Sequence, residues 1–348
     1  MKAPVSAVAV ASVIALLGVP PPALSGQRAE GAQGEPRPEE HLQGNGSTDR
    51  LTGEPDFRSG IELVSLAVSV TDRRARFVEG LRAEDFVVLE DGVPQPLTFF
   101  GVQDVPLDLA LLVDCSSSMH EELGIVRDAA AGLLALLRPG DRASLVEFRQ
   151  GIRIAEALTD DLGKVSDALR VVRPGGATSL YNALYVALKE FSALSRLEAG
   201  IRRRAIVVLS DGEDTTSMVS FEDVLEQAKR SGVVIYTVSL RKATDMPVEV
   251  LNHRRSAAEA DYAMRMLASD TGGRSFFPSA ADELKGIYAG IGRELAAQYA
   301  LGYVPLNGVR DGAWRRVLVR IPRRPDVRPR TRSGYFAVEH PLTVRRRP

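Results

Sequence analysis

Hydrophobic and polar residues alternate with a period of two near the beginning and near the end of the chain. In the segment VSLAVSVT, Val64, Leu66, Val68 and Val70 alternate with small or polar residues, as is typical of a half-buried β-strand. Further strands are predicted at residues 86–90, 97–100, 299–303, 317–321 and 334–336. The three short strands that precede residue 107 are too few to form a stable unit alone. The N- and C-terminal strands are therefore predicted to pack together into one small β-sandwich-like domain.

Two local signals add detail to this β domain. Asp91-Gly92 follows the strand at 86–90 and predicts a tight hairpin turn leading toward 97–100. Pro329, which has arginine neighbours, lacks a backbone N–H for pairing, so the last strand is predicted to lie at a sheet edge.

Residues 107–297 follow a different pattern, in which continuous aliphatic runs such as 109–113 and 206–209 alternate with helical stretches. Strands that are apolar on both faces are typical of parallel sheets covered by helix layers. The runs RASLVEF and GIRIAEAL are joined by only Arg149 and Gln150, which is too short for a crossover and predicts an antiparallel hairpin. The predicted fold class is therefore α/β, with a doubly wound, mostly parallel six-stranded sheet inserted in the β domain.

Six helices are predicted between these strands, at residues 121–137, 160–171, 179–194, 220–230, 259–270 and 280–298. Residues 241–260 are predicted to form an unusually long loop. Loops of this kind at a binding face often select partners.

The N-terminus has the layout of an export signal. One lysine precedes an apolar run from Val5 to Val19, which prolines and Ala23-Leu24-Ser25 follow. This order is typical of a cleavable signal peptide, and an uncleaved membrane anchor is the alternative. Because no cysteine follows Ser25, lipid attachment at this point has no acceptor. The protein is predicted to be secreted or periplasmic, with no integral membrane segment after cleavage.

The predicted organisation has six parts. They are a signal peptide at 1–25, a disordered linker at 26–59, an N-terminal β segment at 60–105, an α/β domain at 106–297, a C-terminal β segment at 298–338 and a basic tail at 339–348. The linker is rich in Gly, Glu, Pro and Gln, and such a segment buries too little apolar surface to offset its ordering entropy.

Composition narrows the range of partners. The chain carries 44 Lys and Arg against 45 Asp and Glu, a net charge of −1, so no overall field recruits nucleic acid or an anionic membrane. Partner choice must therefore come from a local site.

The chain has one cysteine, Cys115, so an intramolecular disulfide is excluded. Cys115 is interpreted as a small buried core residue rather than a reactive thiol.

Three polar loops are predicted to converge at one edge of the sheet. DCSSS begins at Asp114 after the strand LALLV, and SDGED, which contains Asp211, follows the strand IVVL. A third loop, GGATS, contains Thr178 and leads into the helix that precedes the second strand. Ligands of open doubly wound sheets lie beyond the carboxyl ends of the strands, where strand order reverses.

The residue types in these loops suit a hard divalent cation. Ser116, Ser118 and Thr178 offer neutral hydroxyl oxygens, and Mg²⁺ prefers oxygen ligands. Asp114 and Asp211 could hold the ion directly or accept hydrogen bonds from its waters. An ion held mostly by neutral groups keeps its charge and would favour an outside carboxylate.

This set resembles the metal-ion-dependent adhesion site of von Willebrand factor type A domains, which has the pattern DxSxS, then Thr, then Asp. The five matching positions are Asp114, Ser116, Ser118, Thr178 and Asp211. The flanking segments LRAEDFVVLEDGVPQPLTFF, YALGYVPL and RSGYF resemble a bacterial exported subfamily with such domains. The resemblance implies strand order 3-2-1-4-5-6, Mg²⁺ (or Mn²⁺ or Ca²⁺) as the bound ion, no enzymatic activity, and a partner protein that presents an Asp or Glu carboxylate.

Other interpretations of the same residues stay open. Asp114 and the serines could serve as helix caps, and the metal could merely stabilise a scaffold protein. A serine hydrolase is a further alternative, although no G-x-S-x-G segment surrounds Ser116 or Ser118. Glu121 and Glu122 could bind a second metal, as acids do at the equivalent places in integrin β-subunits, or simply complement a helix dipole.

Overall fold

The computed structural model describes residues 63–102, 105–197, 200–211, 213–240 and 251–337. The predicted signal peptide at 1–25, linker at 26–59 and basic tail at 339–348 lie outside the described residues, as does the first half of the predicted 241–260 loop. Within the described ranges, no helix combines the length and the apolar character that crossing a membrane requires.

The described residues form fourteen strands and six α-helices. The strands are β1 (Val64–Thr71), β2 (Val87–Glu90), β3 (Val93–Gln95), β4 (Leu97–Gly101), β5 (Leu107–Asp114), β6 (Arg142–Phe148), β7 (Ile152–Thr159), β8 (Arg203–Ser210), β9 (Val234–Ser239), β10 (Ser275–Phe276), β11 (Tyr299–Tyr303), β12 (Trp314–Arg320), β13 (Arg328–Arg330) and β14 (Gly334–Phe336). The helices are α1 (Leu123–Leu134), α2 (Leu162–Val171), α3 (Leu180–Leu197), α4 (Phe221–Ser231), α5 (Leu251–Thr271) and α6 (Leu284–Ala297).

A six-stranded sheet forms the centre of the α/β domain, in the order β10-β9-β8-β5-β6-β7. All neighbours are parallel except β6 and β7, which pair antiparallel. Residues of α1, α2 and α6 pack on one face and residues of α3, α4 and α5 on the other. Every residue of β5 is buried, because both faces of this central strand are covered. The predicted fold class, the strand order and the hairpin are confirmed.

The flanking strands form two four-stranded sheets, with orders β13-β1-β11-β4 and β14-β12-β2-β3. Each sheet combines strands that precede the α/β domain with strands that follow it. Val68 and Tyr299 of the first sheet and Val88 and Val319 of the second belong to one hydrophobic cluster. The predicted sandwich-like domain, with the α/β domain inserted in it, is therefore confirmed.

The hairpin at Asp91-Gly92 pairs different strands from those expected. Both residues have positive φ, +47° and +86°, as a two-residue type I′ turn requires. The turn joins β2 to the short β3, and the chain then crosses to the other sheet, where β4 pairs with β11.

The segment predicted as the last strand of the chain forms two separate strands, β13 and β14. These two strands lie at the edges of different sheets.

The helix predicted at 259–270 begins much earlier. Helix α5 starts at Leu251, so the second half of the predicted 241–260 loop is helical. The residues LNHRRSAAEA show little apolar periodicity, but they include good helix formers such as alanine, arginine and glutamate. Intrinsic propensity, rather than hydrophobic period, is what identifies this part of the helix.

A buried polar network links the α/β domain to the β domain. Glu294 of α6 is 1% exposed and accepts hydrogen bonds from Ser69 of β1 (2.9 Å) and from the hydroxyl of Tyr236 of β9 (2.8 Å). Arg330 of β13 donates to the same carboxylate, and Gln298 donates to the Tyr236 hydroxyl at 3.0 Å. One carboxylate thus ties together elements of both domains.

Candidate metal site

The candidate site lies where the two central strands of the parallel sheet end. Strand β5 ends at Asp114 and β8 ends at Ser210, and the two strands pair in register up to Val113 and Leu209. From β5 the sheet continues through β6 on one side and through β8 on the other. The strand order therefore reverses between β5 and β8, as predicted. The candidate site lies at the carboxyl ends of these two strands, which is where such sheets bind ligands.

Asp114 forms the buried floor of the site. One carboxylate oxygen accepts the backbone N–H of Ser116 at 2.8 Å, and the other accepts the hydroxyl of Ser210 at 2.6 Å. Burial raises the pKa of the Asp114 carboxyl to about 6, although the hydrogen bonds from Ser210 and Ser116 oppose that rise. The carboxylate is held in one orientation by the backbone on one side and by the neighbouring strand on the other.

Three oxygen atoms above this floor form a continuous chain. The hydroxyls of Ser116 and Ser118 lie 2.9 Å apart, and the Ser118 hydroxyl donates to Oδ2 of Asp211 at 2.7 Å. The other oxygen of Asp211 accepts the backbone N–H of Glu213 at 3.1 Å. Ser116 is buried and Ser118 is exposed, so the chain runs from the interior to the solvent.

Thr178 contacts the loop that follows Asp211 through its backbone. Its carbonyl oxygen accepts the backbone N–H groups of Thr215 and Thr216 at 3.0 and 3.1 Å, and its N–H donates to the Thr215 hydroxyl. The predicted residues Asp114, Ser116, Ser118 and Asp211 therefore form one hydrogen-bonded group. Thr178, which is also buried, lies against the adjoining loop.

Ser117 holds the first and third loops together. Its backbone N–H donates to the carbonyl of Gly176 at 3.0 Å, and its hydroxyl accepts the Gly176 N–H at 3.1 Å. Gly176 has φ of +88°, a conformation that glycine adopts without strain. Ser117 therefore turns away from the oxygen chain of its two neighbours.

Two supporting residues could not be inferred from the motif. Ser210 orients Asp114, and Asp214 accepts the Tyr181 backbone N–H at 3.3 Å and the Ser217 hydroxyl at 2.7 Å. Asp214 thereby satisfies an N–H in the first turn of α3. Both residues lie in the loop SDGED. The pairing of β5 with β8 brings Ser210 to Asp114, and the packing of this loop against the start of α3 brings Asp214 to Tyr181.

Glu121 and Glu122 lie immediately before α1, where Glu122 is the N-cap residue. Glu121 is exposed and Glu122 is half-buried. Carboxylates at this end of a helix are favoured by its dipole, which agrees with the simpler of the two interpretations for these residues.

The donor set limits which kind of ion could bind. Across the described ranges, no group of three or more His, Cys, Asp or Glu side chains is placed to hold a metal. A cation at this edge would therefore depend on the serine hydroxyls together with one or two carboxylates. Such an oxygen-only set fits Mg²⁺, Mn²⁺ or Ca²⁺ better than a metal that prefers nitrogen or sulfur ligands.

Cys115 is fully buried beneath the site, as expected, and its thiol lies 3.3 Å from the Val113 carbonyl oxygen. Burial, with a smaller effect of Glu147 and Asp114, raises the pKa of the thiol to about 12. The folded protein should therefore not react with a thiol-specific reagent such as Ellman's reagent at pH 8, because the thiolate is the reactive form. Unfolding in guanidinium chloride should release one reactive thiol per chain. Reaction of the folded protein at the rate of the unfolded control would contradict this placement.

Comparisons with known proteins found several similar chains. A UPF0353 protein of Mycobacterium leprae (strain Br4923) is 24% identical over 223 residues, which cover 60% of this chain and 64% of that protein. This chain therefore matches slightly less than two thirds of the length of that relative.

Two solved structures are also similar. A von Willebrand factor type A protein from Catenulispora acidiphila has a TM-score of 0.46 at 12% identity, covering 81% of this chain and 64% of that one. The conserved hypothetical protein BatB from Bacteroides thetaiotaomicron has a TM-score of 0.42 at 18% identity, covering 55% of this chain and 100% of that one.

The decisive comparison is with protein families. The family model of the von Willebrand factor type A domain matches residues 108–289, which is more than half of the 348-residue chain. The matched segment begins at the second residue of β5 and ends in α6, so it contains the six-stranded sheet apart from Leu107. The chain therefore belongs to the von Willebrand factor type A domain family.

Proposed function

We propose that this protein is an exported, metal-dependent protein-binding module. In this proposal a divalent cation, most naturally Mg²⁺, is held by Ser116, Ser118, Thr178, Asp114 and Asp211, the last two directly or through water. A partner protein supplies an Asp or Glu carboxylate to the same ion. Von Willebrand factor type A domains are commonly adhesion or protein-binding modules of this kind.

The observation that carries the proposal is the spacing of the oxygen chain. The hydroxyls of Ser116 and Ser118 are 2.9 Å apart, and Ser118 lies 2.7 Å from an Asp211 oxygen. Neighbouring ligands of an octahedral ion at about 2.0–2.1 Å are separated by roughly 2.9 Å. The hydrogen bonds therefore hold these oxygens at the separation that Mg²⁺ would need, so little rearrangement is required on binding.

The protein's own residues then have separate tasks. Ser116 and Ser118 present neutral oxygens, and Asp211 presents one charged oxygen beside them. Asp114 stays fixed behind the serines because Ser210 and the Ser116 N–H hold its two oxygens. When bound, the cation supplies a positive charge that is only partly neutralised, and this charge attracts a carboxylate from outside.

The hydroxyl contacts also favour binding over hydrolysis. A serine nucleophile needs an adjacent base, most often histidine. The hydroxyls of Ser116 and Ser118 instead bond to each other and to Asp211. We therefore propose no enzymatic role for these serines.

The export part of the proposal depends on residues 1–25, which lie outside the described residues. The layout of one lysine, an apolar run and a small-residue segment supports secretion or delivery to the periplasm. Intact-mass measurement of the protein recovered from the native extracytoplasmic fraction would test it. A mass that includes residues 1–25 would contradict cleavage.

The binding function is tested by capture from the extracytoplasmic fraction of the native organism. Wild-type protein and the variant Asp211→Ala are immobilised and compared in Mg²⁺ and in EDTA. We expect a partner that binds only the wild type and only with Mg²⁺, and that is lost when one of its own acidic residues is changed to the amide. Capture that survives EDTA while the protein remains folded would instead favour a scaffold with a purely stabilising metal. Labelling of Ser116 or Ser118 by a fluorophosphonate would favour the serine hydrolase.

A further inference from the structure

The hairpin that joins β6 to β7 lies beside the candidate metal site, and Arg149 stands at its tip. The preceding residue, Phe148, is the last of β6, and its carbonyl accepts the backbone N–H of Cys115 at 2.8 Å. Cys115 directly precedes Ser116 in the sequence. The backbone before Arg149 is therefore fixed to the residue that adjoins a predicted metal ligand.

The other side of the hairpin tip is fixed in the same way. The carbonyl of Gln150 accepts the Ser179 hydroxyl at 2.9 Å, and Ser179 follows the predicted ligand Thr178. Gly176 of the same loop also packs on the tip, since a carbon added to its Cα would lie 3.9 Å from Cβ of Arg149. Arg149 is therefore held between two of the three loops that form the candidate site.

The guanidinium of Arg149 is available to an outside group. Its side chain is half-buried, and among the residues that the structure describes it forms no hydrogen bond or ion pair. Arg153 of β7 differs, because its guanidinium donates through two nitrogens to the buried carboxylate of Glu147. Arg153 and Glu147 therefore neutralise each other, whereas Arg149 keeps its positive charge next to the site.

The charge of Arg149 also acts on the loop beneath the serines. Burial raises the pKa of the Cys115 thiol to about 12, and the charges of Glu147 and Asp114 add to that rise, whereas Arg149 and Arg153 lower it. Nearby charges shift a pKa in proportion to their closeness. This effect agrees with the backbone contacts that place Arg149 against the loop of Cys115.

The two sides of the candidate site differ in charge. The central sheet continues from β5 through β6 on one side and through β8 on the other. The β6 side carries Arg149 and, in the segment that leads to Gly176, the exposed Arg173. The β8 side carries Glu213 and Asp214 in the loop after β8. An acidic segment seated on the ion is therefore attracted toward the β6 side and repelled from the β8 side.

We propose that the partner segment carries two carboxylates, of which the first binds the ion and the second pairs with Arg149. This inference rests on the proposed metal-dependent function, and it identifies the partner as an acidic segment whose second acid is directed toward the β6–β7 hairpin. A guanidinium matches a carboxylate through two parallel N–H···O bonds. The competing explanation is that Arg149 is only a solvated residue of the hairpin, in which case a second acid would not change the affinity.

The test uses short synthetic peptides as probes. Each peptide is capped at both ends and contains one glutamate, which is followed one, two or three residues later by either glutamate or glutamine. Affinities for the full-length protein are measured by fluorescence polarisation in Mg²⁺ and in EDTA. With the wild type in Mg²⁺, we expect the one-glutamate peptides to bind, and a second glutamate at the best spacing to tighten binding about five- to tenfold.

Arg149→Gln should remove this gain and leave the affinity for the one-glutamate peptides within about twofold, because a lone distant charge is screened by salt. Arg149→Lys, which keeps the charge but not the two-point contact, should retain part of the gain. Arg320→Gln is the matched control, because Arg320 is an exposed arginine of β12 in the β domain. It should bind both kinds of peptide like the wild type.

The outcomes separate this inference from the function on which it rests. Equal binding of the one- and two-glutamate peptides in Mg²⁺, or an undiminished gain in Arg149→Gln, would overturn the inference and leave the proposed function intact. Two-glutamate binding that persists in EDTA would also overturn it, since the arginine would then act without the ion. If no peptide bound in Mg²⁺, the proposed function would be contradicted and this inference with it.

Discussion

Replacing Ser116 and Ser118 together by alanine is expected to weaken Mg²⁺ binding at least 100-fold. The two hydroxyls supply two of the three oxygens in the chain that ends at Asp211, and even residues that only orient metal ligands change affinity by about 10–100-fold. The fold should survive, because each change removes only one hydroxyl group and Asp114 keeps its bond from the Ser116 backbone N–H. Isothermal titration with Mg²⁺ and Mn²⁺ measures the affinity, and circular dichroism checks the fold.

Ser117→Ala provides an unusually close control for this experiment. Ser117 lies between the two changed serines, but its hydroxyl accepts the N–H of Gly176. Its loss should cost about 1 kcal/mol of stability and leave the Mg²⁺ affinity within about twofold. If the double variant bound Mg²⁺ as tightly as the wild type, the assignment of the site would be wrong. An equal loss in Ser117→Ala would point to the loop conformation instead of the hydroxyl ligands.

Glu294→Ala is expected to lower the free energy of unfolding by about 3 kcal/mol. Removing one partner of a buried ion pair typically costs 3–5 kcal/mol, and the lower figure applies because the Arg330 side chain is 31% exposed. The change also removes the hydrogen-bond acceptor for Ser69 and for Tyr236. Because these partners come from both domains, the loss should weaken the attachment of the β domain to α6. Urea unfolding of the full-length protein, followed by circular dichroism, measures the difference.

Two further variants make this result specific. Glu294→Gln keeps an acceptor for Ser69 and Tyr236 but loses the charge opposite Arg330, so its effect should be intermediate. Asp167→Ala breaks the exposed pair with Arg170, in which both side chains are more than 70% exposed, and should change stability by less than about 0.5 kcal/mol. A loss in Glu294→Ala no larger than that of Asp167→Ala would show that the network contributes little.

Much of the architecture could be predicted because the two kinds of strand have different hydrophobic periods. The alternation at 64–70 identified a half-buried strand of the β domain, and the unbroken run at 109–113 identified the fully buried β5. Arg149 and Gln150 likewise predicted the β6–β7 hairpin, because two residues cannot form a crossover. These features depend on local sequence alone.

Other features could not be predicted because they depend on which distant segments meet. The crossing of the chain to another sheet after β3 is decided by the pairing of β4 with β11. At the candidate site, the positions of Asp114 and Asp211 followed from strand ends, whereas the role of Ser210 required the register of β5 with β8. Two partners of Glu294, Ser69 and Tyr236, lie more than fifty residues away along the chain, and no local pattern marks them.

The junction between α6 and β11 has a mechanical consequence. Helix α6 ends at Ala297 and β11 begins at Tyr299, so the buried Gln298 is the whole connection. Strand β11 is internal to its sheet, with β1 on one side and β4 on the other. Pulling β11 out of its sheet through this junction would require the backbone hydrogen bonds to both neighbouring strands to break.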